Sequence, residues 1–488
     1  MIHLVVVNNP KSWPLAIPEV EVVAARSYLM DERYSALRNA KVFNLCRSYQ
    51  YQSIGYYVSL LASARDHKPI PGVLAIQDLK SQVMIRIVSD ELERLIQSSL
   101  RPIRGDRFTL SIYFGKNLAR RYDRLCGRIF QHFQTPLLRA EFVRKDGDWL
   151  MKSVNPIAGS DIPKEHHDFV IEAAQEFFRR RSPRTTQKES RYDLAILVNP
   201  DEKMPPSDEK AIQRFIRAAE SLDFYTELIT RHDYARLGEF DGLFIRETTS
   251  VNHHTYRMAR RASAEGLVVI DDPESILKCT NKVYLAELLK KNRIPEPRTL
   301  IISPDKKESV AATLGYPFIL KQPDSSFSVG VVKVNDAAGF QRAADELFEN
   351  SDLLIAQEFI PTLFDWRVGI LNRKPLFVCR YYMARKHWQI YEHSADGSTY
   401  AGKADTMAVA DAPKHIVETA LKAANLIGDG FYGVDLKESG GNVYVIEIND
   451  NPSIDSGFED VVLRDELYVS IMKEILRRIE RKKERNPK

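Results

Sequence analysis

At 488 residues, the chain is long enough for about two to four domains, each with its own hydrophobic core. A hydrophobic fraction of 44% and a charged fraction of 28% are normal for a soluble globular protein, and no apolar run approaches the length that spans a bilayer. The formal net charge of +4 indicates no particular class of partner.

The cysteines and the N-terminus indicate the compartment. Cys46, Cys126, Cys279 and Cys379 are scattered without CxxC spacing, which argues against a zinc site or a disulfide framework and suits a reducing cytosol. The opening residues, MIHLVVVNNP, have no cationic segment and only a short apolar run, so a signal peptide is not expected. We therefore expect a cytoplasmic protein without membrane attachment.

Charge is distributed unevenly along the chain. Residues 101–190 contain 18 lysines and arginines against 11 acidic residues. This basic region is either a solvated surface or a docking face for an acidic partner. There is no RNP, KH or other nucleic-acid signature, so a nucleic-acid partner is not expected.

In the first 150 residues, short apolar runs alternate with a helical pattern, which indicates a small α/β unit. Its predicted elements are the strands His3–Val7, Glu19–Ala25, Asn39–Leu45 and Val73–Ile76 and the helix Ile54–Ala64. A further helix and two strands are predicted near 89–99, Phe108–Phe114 and Leu138–Val143. These later elements carry no evident chemistry.

A helix predicted at 164–181 is followed by a polar, proline-containing stretch at 182–191 that marks a domain boundary. Beyond it, strands again alternate with helices, which predicts a parallel sheet between helical layers. Arg246 follows the predicted strand Gly242–Ile245, at the edge where open α/β sheets bind ligands. Its planar guanidinium could hold a substrate carboxylate, and an ordinary surface arginine in a loop fits the pattern equally well.

The strongest signal is a hairpin predicted near the carboxyl terminus. Two apolar runs, Phe431–Leu436 and Val443–Ile448, flank the turn sequence ESGGN. Glu447 and Asn449 share a face of their strand because they are two residues apart, and closing the hairpin brings Asp435 roughly opposite Glu447. Two carboxylates and an amide oxygen are ligands suited to Mg²⁺. The alternative is an ordinary hairpin with a polar outer face.

A second signal is a lysine that ends an apolar strand. Lys321 closes the run YPFILK, and the small-residue loop that follows contains Ser326, Ser328 and Gly330. Backbone N–H groups and hydroxyls in such a loop can cradle phosphates while the lysine supplies positive charge. The Walker pattern GxxxxGK[ST] is absent and serine-rich turns are common, so this loop alone is a weak signal.

Taken in chain order, these pieces resemble the ATP-grasp ligases, and most closely the RimK and glutathione-synthetase-like branch. The resemblance covers roughly residues 192–475 and rests on Lys282 opening a helix, Lys321 with its loop, Gln357-Glu358, Asp365-x-Arg367, Arg380, and Asp435 with Glu447-x-Asn449 before Pro452. Residues 1–150 resemble the RimK-like ATP-grasp N-terminal domain. The phosphate loop, SSFSVGV, looks more like that of D-alanine–D-alanine ligases, which leaves the subfamily and the substrate open.

The resemblance implies a role for each matching residue. Nucleotide-binding positions are implied at Lys282, Lys321, Ser326, Ser328, Gly330, Gln357, Glu358, Phe359, Ile360, Asp365 and Arg367. Within this set, the segment 357–360 would hold adenine and Asp365 would lie near the ribose. Lys321 and Arg380 are the implied catalytic residues, with Arg380 supporting the transferring phosphate or the tetrahedral intermediate. Asp435, Glu447 and Asn449 would hold two Mg²⁺ ions, or Mn²⁺ in their place.

The expected fold class is α/β, or more closely the α+β of ATP-grasp proteins. The expected domains are a RimK-like N-terminal α/β domain at 1–150, a helical linker at 151–190, a pre-ATP-grasp parallel-sheet domain at 191–275 and an ATP-grasp module at 276–480. The module would consist of a small lobe at about 299–356 and a large lobe at about 357–480, both with antiparallel sheets.

The implied function is that of an ATP-dependent carboxylate–amine ligase. It would form an amide or peptide bond through an acylphosphate and add an amino acid to a small acid, a peptide or a protein terminus. The basic region mildly favours an acidic peptide or protein as acceptor, and a homo-oligomer is plausible. The alternatives are a catalytically silent nucleotide-binding regulatory protein with the same fold and, as a minor hypothesis, an RNA- or ribosome-associated protein.

Overall fold

The computed structural model describes residues 2–15, 17, 20–37, 40–65, 67–145, 147–179, 190–307, 309–324, 330–383, 391–393, 399–401 and 403–485. The chain divides into two compact units, one formed by residues 1–189 and 232–240 and the other by residues 190–231 and 241–488. No helix in the described part of the chain carries an apolar stretch long enough to cross a membrane.

The first unit opens with a four-stranded parallel sheet in the order β2-β1-β3-β4. Its strands are β1 (Ile2–Val7), β2 (Glu21–Ala24), β3 (Ala40–Asn44) and β4 (Lys68–Ile70). The accompanying helices are α1 (Ala25–Met30), α2 (Glu32–Ser35), α3 (Ile54–Ala64), α4 (Val73–Lys80), α5 (Gln82–Glu91) and α6 (Glu93–Leu100). The middle of β1 is fully buried, which explains why its sequence is continuously apolar.

The strand predicted at Val73–Ile76 is wrong, because this segment begins helix α4. Its buried residues are Ala75, Ile76 and Leu79, a spacing that places them on one helical face. A short apolar run does not by itself distinguish a buried strand from the first turn of a helix.

The rest of the first unit is an antiparallel sheet with two helices. The strands are β5 (Arg107–Tyr113), β6 (Leu137–Lys145) and β7 (Asp148–Pro156), and the helices are α7 (Asp123–Phe133) and α8 (His167–Arg179). Strands β5 and β6 confirm the two predicted near 108–114 and 138–143. Within residues 151–179, β7 runs to Pro156 and α8 buries Val170 and Ala174 in one core with Val5 and Val7.

The second unit begins with a parallel sheet in the order β11-β10-β8-β9, as the sequence predicts. Its strands are β8 (Tyr192–Leu197), β9 (Phe224–Ile229), β10 (Gly242–Ile245) and β11 (Val268–Ile270). The accompanying helices are α9 (Glu209–Ser221), α10 (His254–Ala264), α11 (Pro273–Thr280) and α12 (Lys282–Lys291).

Antiparallel sheets follow. The first, in the order β12-β15-β13-β14, contains β12 (Thr299–Ile302), β13 (Phe318–Lys321), β14 (Val331–Val334) and β15 (Leu354–Glu358), with helices α13 (Ser309–Leu314) and α14 (Ala337–Phe348). The second contains β16 (Phe364–Leu371), β17 (Lys374–Tyr382), β20 (Ala404–Met407), β21 (Phe431–Ser439) and β22 (Asn442–Asn449). A separate pair is formed by β18 (Tyr391–His393) and β19 (Thr399–Ala401), and the last helices are α15 (Lys414–Ile427) and α16 (Asp465–Arg485).

The five-stranded sheet β20-β17-β16-β21-β22 has two different faces. On one face, Val368 and Val434 are paired across β16 and β21 and pack against α15. Because side chains alternate along a strand, the neighbouring pair Arg367 and Asp435 lies on the opposite face. This alternation places charged groups on the side of the sheet that lines the cavity described below.

Candidate functional site

The hairpin predicted from the sequence is present as β21 and β22. Asp435 is the direct cross-strand partner of Glu447, as predicted, and Gly433 is the partner of Asn449. The register shifts after Asp435, because Leu436 pairs with Val445 and leaves Ile446 as the extra residue of a β-bulge. Ile446 therefore joins Glu447 among the residues that line a cavity.

Cationic side chains offset the charge of both hairpin carboxylates. Arg367 donates two hydrogen bonds to Asp435, from Nε to Oδ1 at 2.6 Å and from Nη2 to Oδ2 at 2.7 Å. The Asn449 amide nitrogen lies 3.2 Å from Asp435 Oδ2, and Lys282 Nζ lies 3.1 Å from Glu447 Oε1. Two buried carboxylates this close require positive charge, which lysine and arginine supply here.

Burial and the neighbouring positive charges shift the pKa values of these two acids in opposite directions. Burial raises the pKa of Asp435 above its ordinary value, although Arg367 opposes it. Burial also raises the pKa of Glu447, but the charges of Lys282 and Lys321 outweigh it and bring that pKa below its ordinary value. Two carboxylate groups and an amide on one hairpin face match the oxygen donors that Mg²⁺ prefers, so the residues fit a hard divalent cation.

The site residues surround a cavity of about 300 Å³. The structure brings together at its wall the predicted residues Lys282, Lys321, Gln357, Glu358, Phe359, Ile360, Asp365, Arg367, Asp435, Glu447 and Asn449. Gly330 lies next to this set, with its carbonyl accepting from the backbone N–H of Gln322. Ser326 and Ser328 lie outside the described residues.

Each of the two predicted lysines lies at one end of a helix or strand. Lys282 is the first residue of α12, whose N-cap Asn281 accepts hydrogen bonds from the next turn. Lys321 is the last residue of β13, is only 8% exposed, and donates to Gln357 Oε1 at 2.7 Å. Burial lowers the pKa of Lys321 to about 8, partly opposed by the negative charge of Glu447.

The last two residues of β15 are tied to the start of the neighbouring strand β12. Gln357 Nε2 donates to Thr299 Oγ1 at 3.0 Å, and Glu358 forms an ion pair with Arg298 at 3.0 Å. The hydrogen bonds from Arg298 lower the pKa of Glu358. These contacts hold the start of the segment 357–360 in a fixed position, which suits a segment that would present backbone and apolar groups to a flat ring such as adenine.

Two further groups at the site were missed from the sequence. Lys437 contacts Asp365 and donates to Thr362 Oγ1 at 2.8 Å, so it adds a third lysine to the cavity. Its position two residues after Asp435, just beyond the predicted strand Phe431–Leu436, was an available signal. Asp450 is buried and accepts from Thr249 Oγ1 at 2.8 Å, and burial raises the pKa of Asp450 to about 7.

The structure does not bring Arg380 to the cavity. Its cross-strand partner on β16 is Trp366, so Arg380 lies on the face opposite to Arg367. Its guanidinium pairs with Asp405 and lies 5.4 Å from the centroid of the Phe364 ring. This placement does not support the catalytic role that the resemblance implied for Arg380.

Arg246 is also engaged elsewhere. It is only 1% exposed and donates to Ser207 Oγ at 3.1 Å, to Asn451 Oδ1 at 2.6 Å and to the backbone carbonyls of Pro206 and Pro452. These four hydrogen bonds use most of the five N–H groups of a guanidinium. The side chain therefore ties the segment after Asn449 to the parallel sheet and is not free for a bidentate contact with a substrate carboxylate.

Two family models and several ligases of known name match parts of this chain. The family model described as RimK-like ATPgrasp N-terminal domain matches residues 25–173, and the one described as D-ala D-ala ligase C-terminus matches residues 291–461. An alpha-aminoadipate–LysW ligase LysX of Sulfolobus acidocaldarius is 26% identical over 243 residues, which cover 47% of this chain and 81% of that protein. A probable alpha-L-glutamate ligase of Psychromonas ingrahamii is 25% identical over 229 residues, covering 46% and 73% of the two chains.

Two matches among solved structures are to ligase-related proteins of low sequence identity. The D-alanine–D-alanine ligase of Bacillus anthracis in complex with ATP matches with a TM-score of 0.47 and 16% identity, over 60% of this chain and 99% of that one. A RimK domain ATP-grasp protein of Sphaerobacter thermophilus matches with a TM-score of 0.44 and 16% identity, over 58% and 99%.

Proposed function

We propose that this chain is an ATP-grasp ligase that joins a carboxylate to an amine through an acylphosphate. It combines a RimK-like N-terminal domain with a D-Ala D-Ala ligase-like C-terminal module. The carboxylate oxygen attacks the γ-phosphorus of ATP and the bond to the β-phosphate oxygen breaks, which releases ADP. The amine nitrogen then attacks the acyl carbon, phosphate leaves, and the nitrogen loses a proton. The product is an amide or peptide bond.

The observation that carries this proposal is the convergence of lysines and oxygen donors on one cavity. A carboxylate that approaches ATP is repelled by the phosphates, and positive charge placed in advance lowers that barrier. Lys282 and Lys321 supply fixed charge, and Asp435, Glu447 and Asn449 would hold Mg²⁺ or Mn²⁺. When bound, such an ion would neutralise charge on the β- and γ-phosphates.

We assign the nucleotide to the wall between the two antiparallel sheets. The segment 357–360 would contact adenine, with Ile319 and Ile446 as apolar neighbours. Asp365 would lie towards the ribose, and the loop containing Ser326, Ser328 and Gly330 towards the phosphates. Arg367 is better placed than Arg380 to stabilise the second step, because Arg367 lines the cavity and Arg380 does not.

For the substrates, we propose an amino acid as the amine and an acidic peptide, a protein terminus or a small acid as the carboxylate. Two relatives are named as ligases for alpha-aminoadipate with LysW and for L-glutamate. The excess of basic residues in 101–190 supports an acidic acceptor. We also propose a reducing, cytoplasmic compartment, which suits the four buried free cysteines.

Isotope transfer tests the acylphosphate directly. The full chain is incubated with ATP, Mg²⁺, pooled amino acids and acceptor acids whose carboxylates carry ¹⁸O, and the released phosphate is analysed by mass spectrometry. We expect one ¹⁸O per phosphate released and a product whose mass increment identifies the amine. Thermal stabilisation by ATP, with no ADP formed across a broad panel of acids and amines, would instead support a silent nucleotide-binding protein.

A further inference from the structure

Next to the cavity, one carboxylate and two imidazoles converge at the edge of the parallel sheet of the second unit. Glu247, His253 and His254 each offer one ligand atom, and these three atoms lie within 4.8 Å of one another. Glu247 lies two residues after the end of β10, and His253 and His254 are the N-cap and the first residue of α10. The proposed ligase reaction uses none of the three.

The carboxylate of Glu247 is buried and only half satisfied. The residue is 1% exposed, and its Oε2 lies 2.8 Å from His254 Nε2. Its Oε1 is buried and has no hydrogen-bond partner among the described residues. Leaving a buried carboxylate oxygen without a partner is costly, so such an atom points to a missing ligand. An ordinary ion pair with His254 would leave Oε1 just as unsatisfied.

The hydrogen bonds of His253 leave one ring nitrogen free to bind a metal. The Thr255 hydroxyl donates to the Thr248 carbonyl at 3.4 Å and lies 3.1 Å from His253 Nδ1. A hydroxyl has one proton, so Thr255 accepts from Nδ1–H, and the lone pair of His253 is on Nε2.

We propose that Glu247, His253 and His254 bind a divalent transition-metal ion, with Zn²⁺ as the best match. Two imidazole nitrogens and one carboxylate oxygen form a zinc donor set that leaves a fourth position for water or a substrate group. Ligand atoms in a tetrahedral zinc site lie about 3.3 Å apart, so small side-chain rotations close the present triangle. The ion displaces the proton shared by His254 and Glu247.

The proposed ion would fix a segment that borders the cavity. It would connect the two ends of residues 247–254, and Thr248, Thr249 and Ser250 within that segment line the cavity. Metal binding at this point is separate from nucleotide binding, because the hard oxygen ligands of the hairpin and the imidazole ligands of this cluster select different ions.

Zinc binding to the full chain tests the proposal. The protein is stripped with a chelator and titrated with Zn²⁺ against a chromogenic competitor, in millimolar Mg²⁺ so that the hairpin oxygens are occupied. Bound zinc is then measured by mass spectrometry after gel filtration. The variants are Glu247→Gln and His253→Asn. The matched control is His415→Asn, because His415 forms an ion pair with Glu438 at the same 2.8 Å but is 54% exposed.

We expect about one zinc per chain for the wild type and for H415N, and zinc affinity at least about tenfold weaker for E247Q and H253N. The absorption of bound Co²⁺ gives a second readout, since its intensity distinguishes four-coordinate from six-coordinate sites. His253 is only partly buried, so H253N remains informative if E247Q does not fold. Equal zinc affinity in the wild type and both variants, or no zinc retained by the wild type, would overturn the proposal.

Discussion

The two parallel sheets of this chain share a topology, and the cavity-lining residues that the structure describes come from the unit that contains the second sheet. In each, the first strand lies between the second and the third, and the fourth strand is at the edge. The helices that follow also match: α3 and α10 both have 11 residues, α4 and α11 both have 8, and α5 and α12 both have 10. These helices begin at a constant separation of 200 residues, from Ile54 and His254 to Gln82 and Lys282.

The matching positions carry different chemistry. The helix that opens with Gln82 in the first sheet opens with Lys282 in the second, and Lys282 pairs with Glu447 at the cavity. The N-cap of α3 is Ser53, which satisfies its own helix, whereas the N-cap of α10 is His253 with no such hydrogen bond. Equivalent helix starts therefore carry a capping serine and a glutamine beside the first sheet, and a histidine and a cavity-lining lysine beside the second.

The largest expected effect is on the hairpin. Glu447→Gln removes a charge from the donor set, and we expect ADP formation to fall about 1,000-fold, the upper range for losing one preorganised electrostatic group. Glu438→Gln is the matched control, because Glu438 lies on the same hairpin outside the cavity-lining set. An E447Q protein as active as E438Q would show that the hairpin does not carry the chemistry.

The next largest effect is on stability. Arg246→Ala removes the donor that serves Ser207 Oγ, Asn451 Oδ1 and the carbonyls of Pro206 and Pro452. The Pro206 carbonyl still accepts from the backbone N–H of Ile454, and we expect the free energy of unfolding to fall by about 3 kcal/mol. Urea denaturation measures this change. Arg260→Ala on the exposed side of α10 should change it by less than about 0.5 kcal/mol. Similar values for both variants would refute the structural role of Arg246.

Exchanging residues between the matching helices α5 and α12 tests the comparison of the two parallel-sheet regions. Lys282→Gln gives α12 the residue that opens α5, and we expect kcat/KM for ATP to fall about 100-fold because fixed charge near the phosphates is lost. The reciprocal change, Gln82→Lys, should leave kcat/KM within about twofold. Steady-state ADP release measures both. A large effect from Gln82→Lys would mean that the first sheet takes part in the reaction.

The smallest expected effect is a pH dependence from Lys321. Its pKa is lowered to about 8, so the free protein loses this charge as the pH rises from 7 to 9, and the affinity for ATP should weaken about tenfold. Calorimetric titration across this range measures the trend. Lys321→Arg keeps its charge and should give a flat profile. Affinity that strengthens with pH, or a slope that K321R retains, would contradict the assignment.

Part of this site could be predicted because it depends on local rules. The two-residue spacing of Glu447 and Asn449 and the Gly440-Gly441 turn predict the hairpin, but it is the bulge at Ile446 that brings Asp435 opposite Glu447. Lys282 and Lys321 could be found because each ends or begins an element with a clear sequence boundary. The roles of these residues in binding nucleotide and metal remain predictions.

The rest depends on long-range register, which one sequence does not specify. Arg380 lies on β17, and only its pairing with Trp366 reveals that it is on the face opposite to Arg367. A shift of one residue would have reversed its face. The burial of Arg246 arises in the same way, because its hydrogen bond to Asn451 joins segments far apart in the chain. The prediction of a strand at Val73–Ile76 was wrong because the apolar run was too short to distinguish helical from strand periodicity.

The most direct test is anomalous diffraction from a crystal grown with Mn²⁺ and a non-hydrolysable ATP analogue. We predict manganese peaks about 2.0–2.3 Å from oxygen atoms of Asp435, Glu447 and Asn449, with the analogue's phosphates completing the coordination. Peaks elsewhere, with Asp435 and Glu447 still held only by Arg367 and Lys282, would contradict the account.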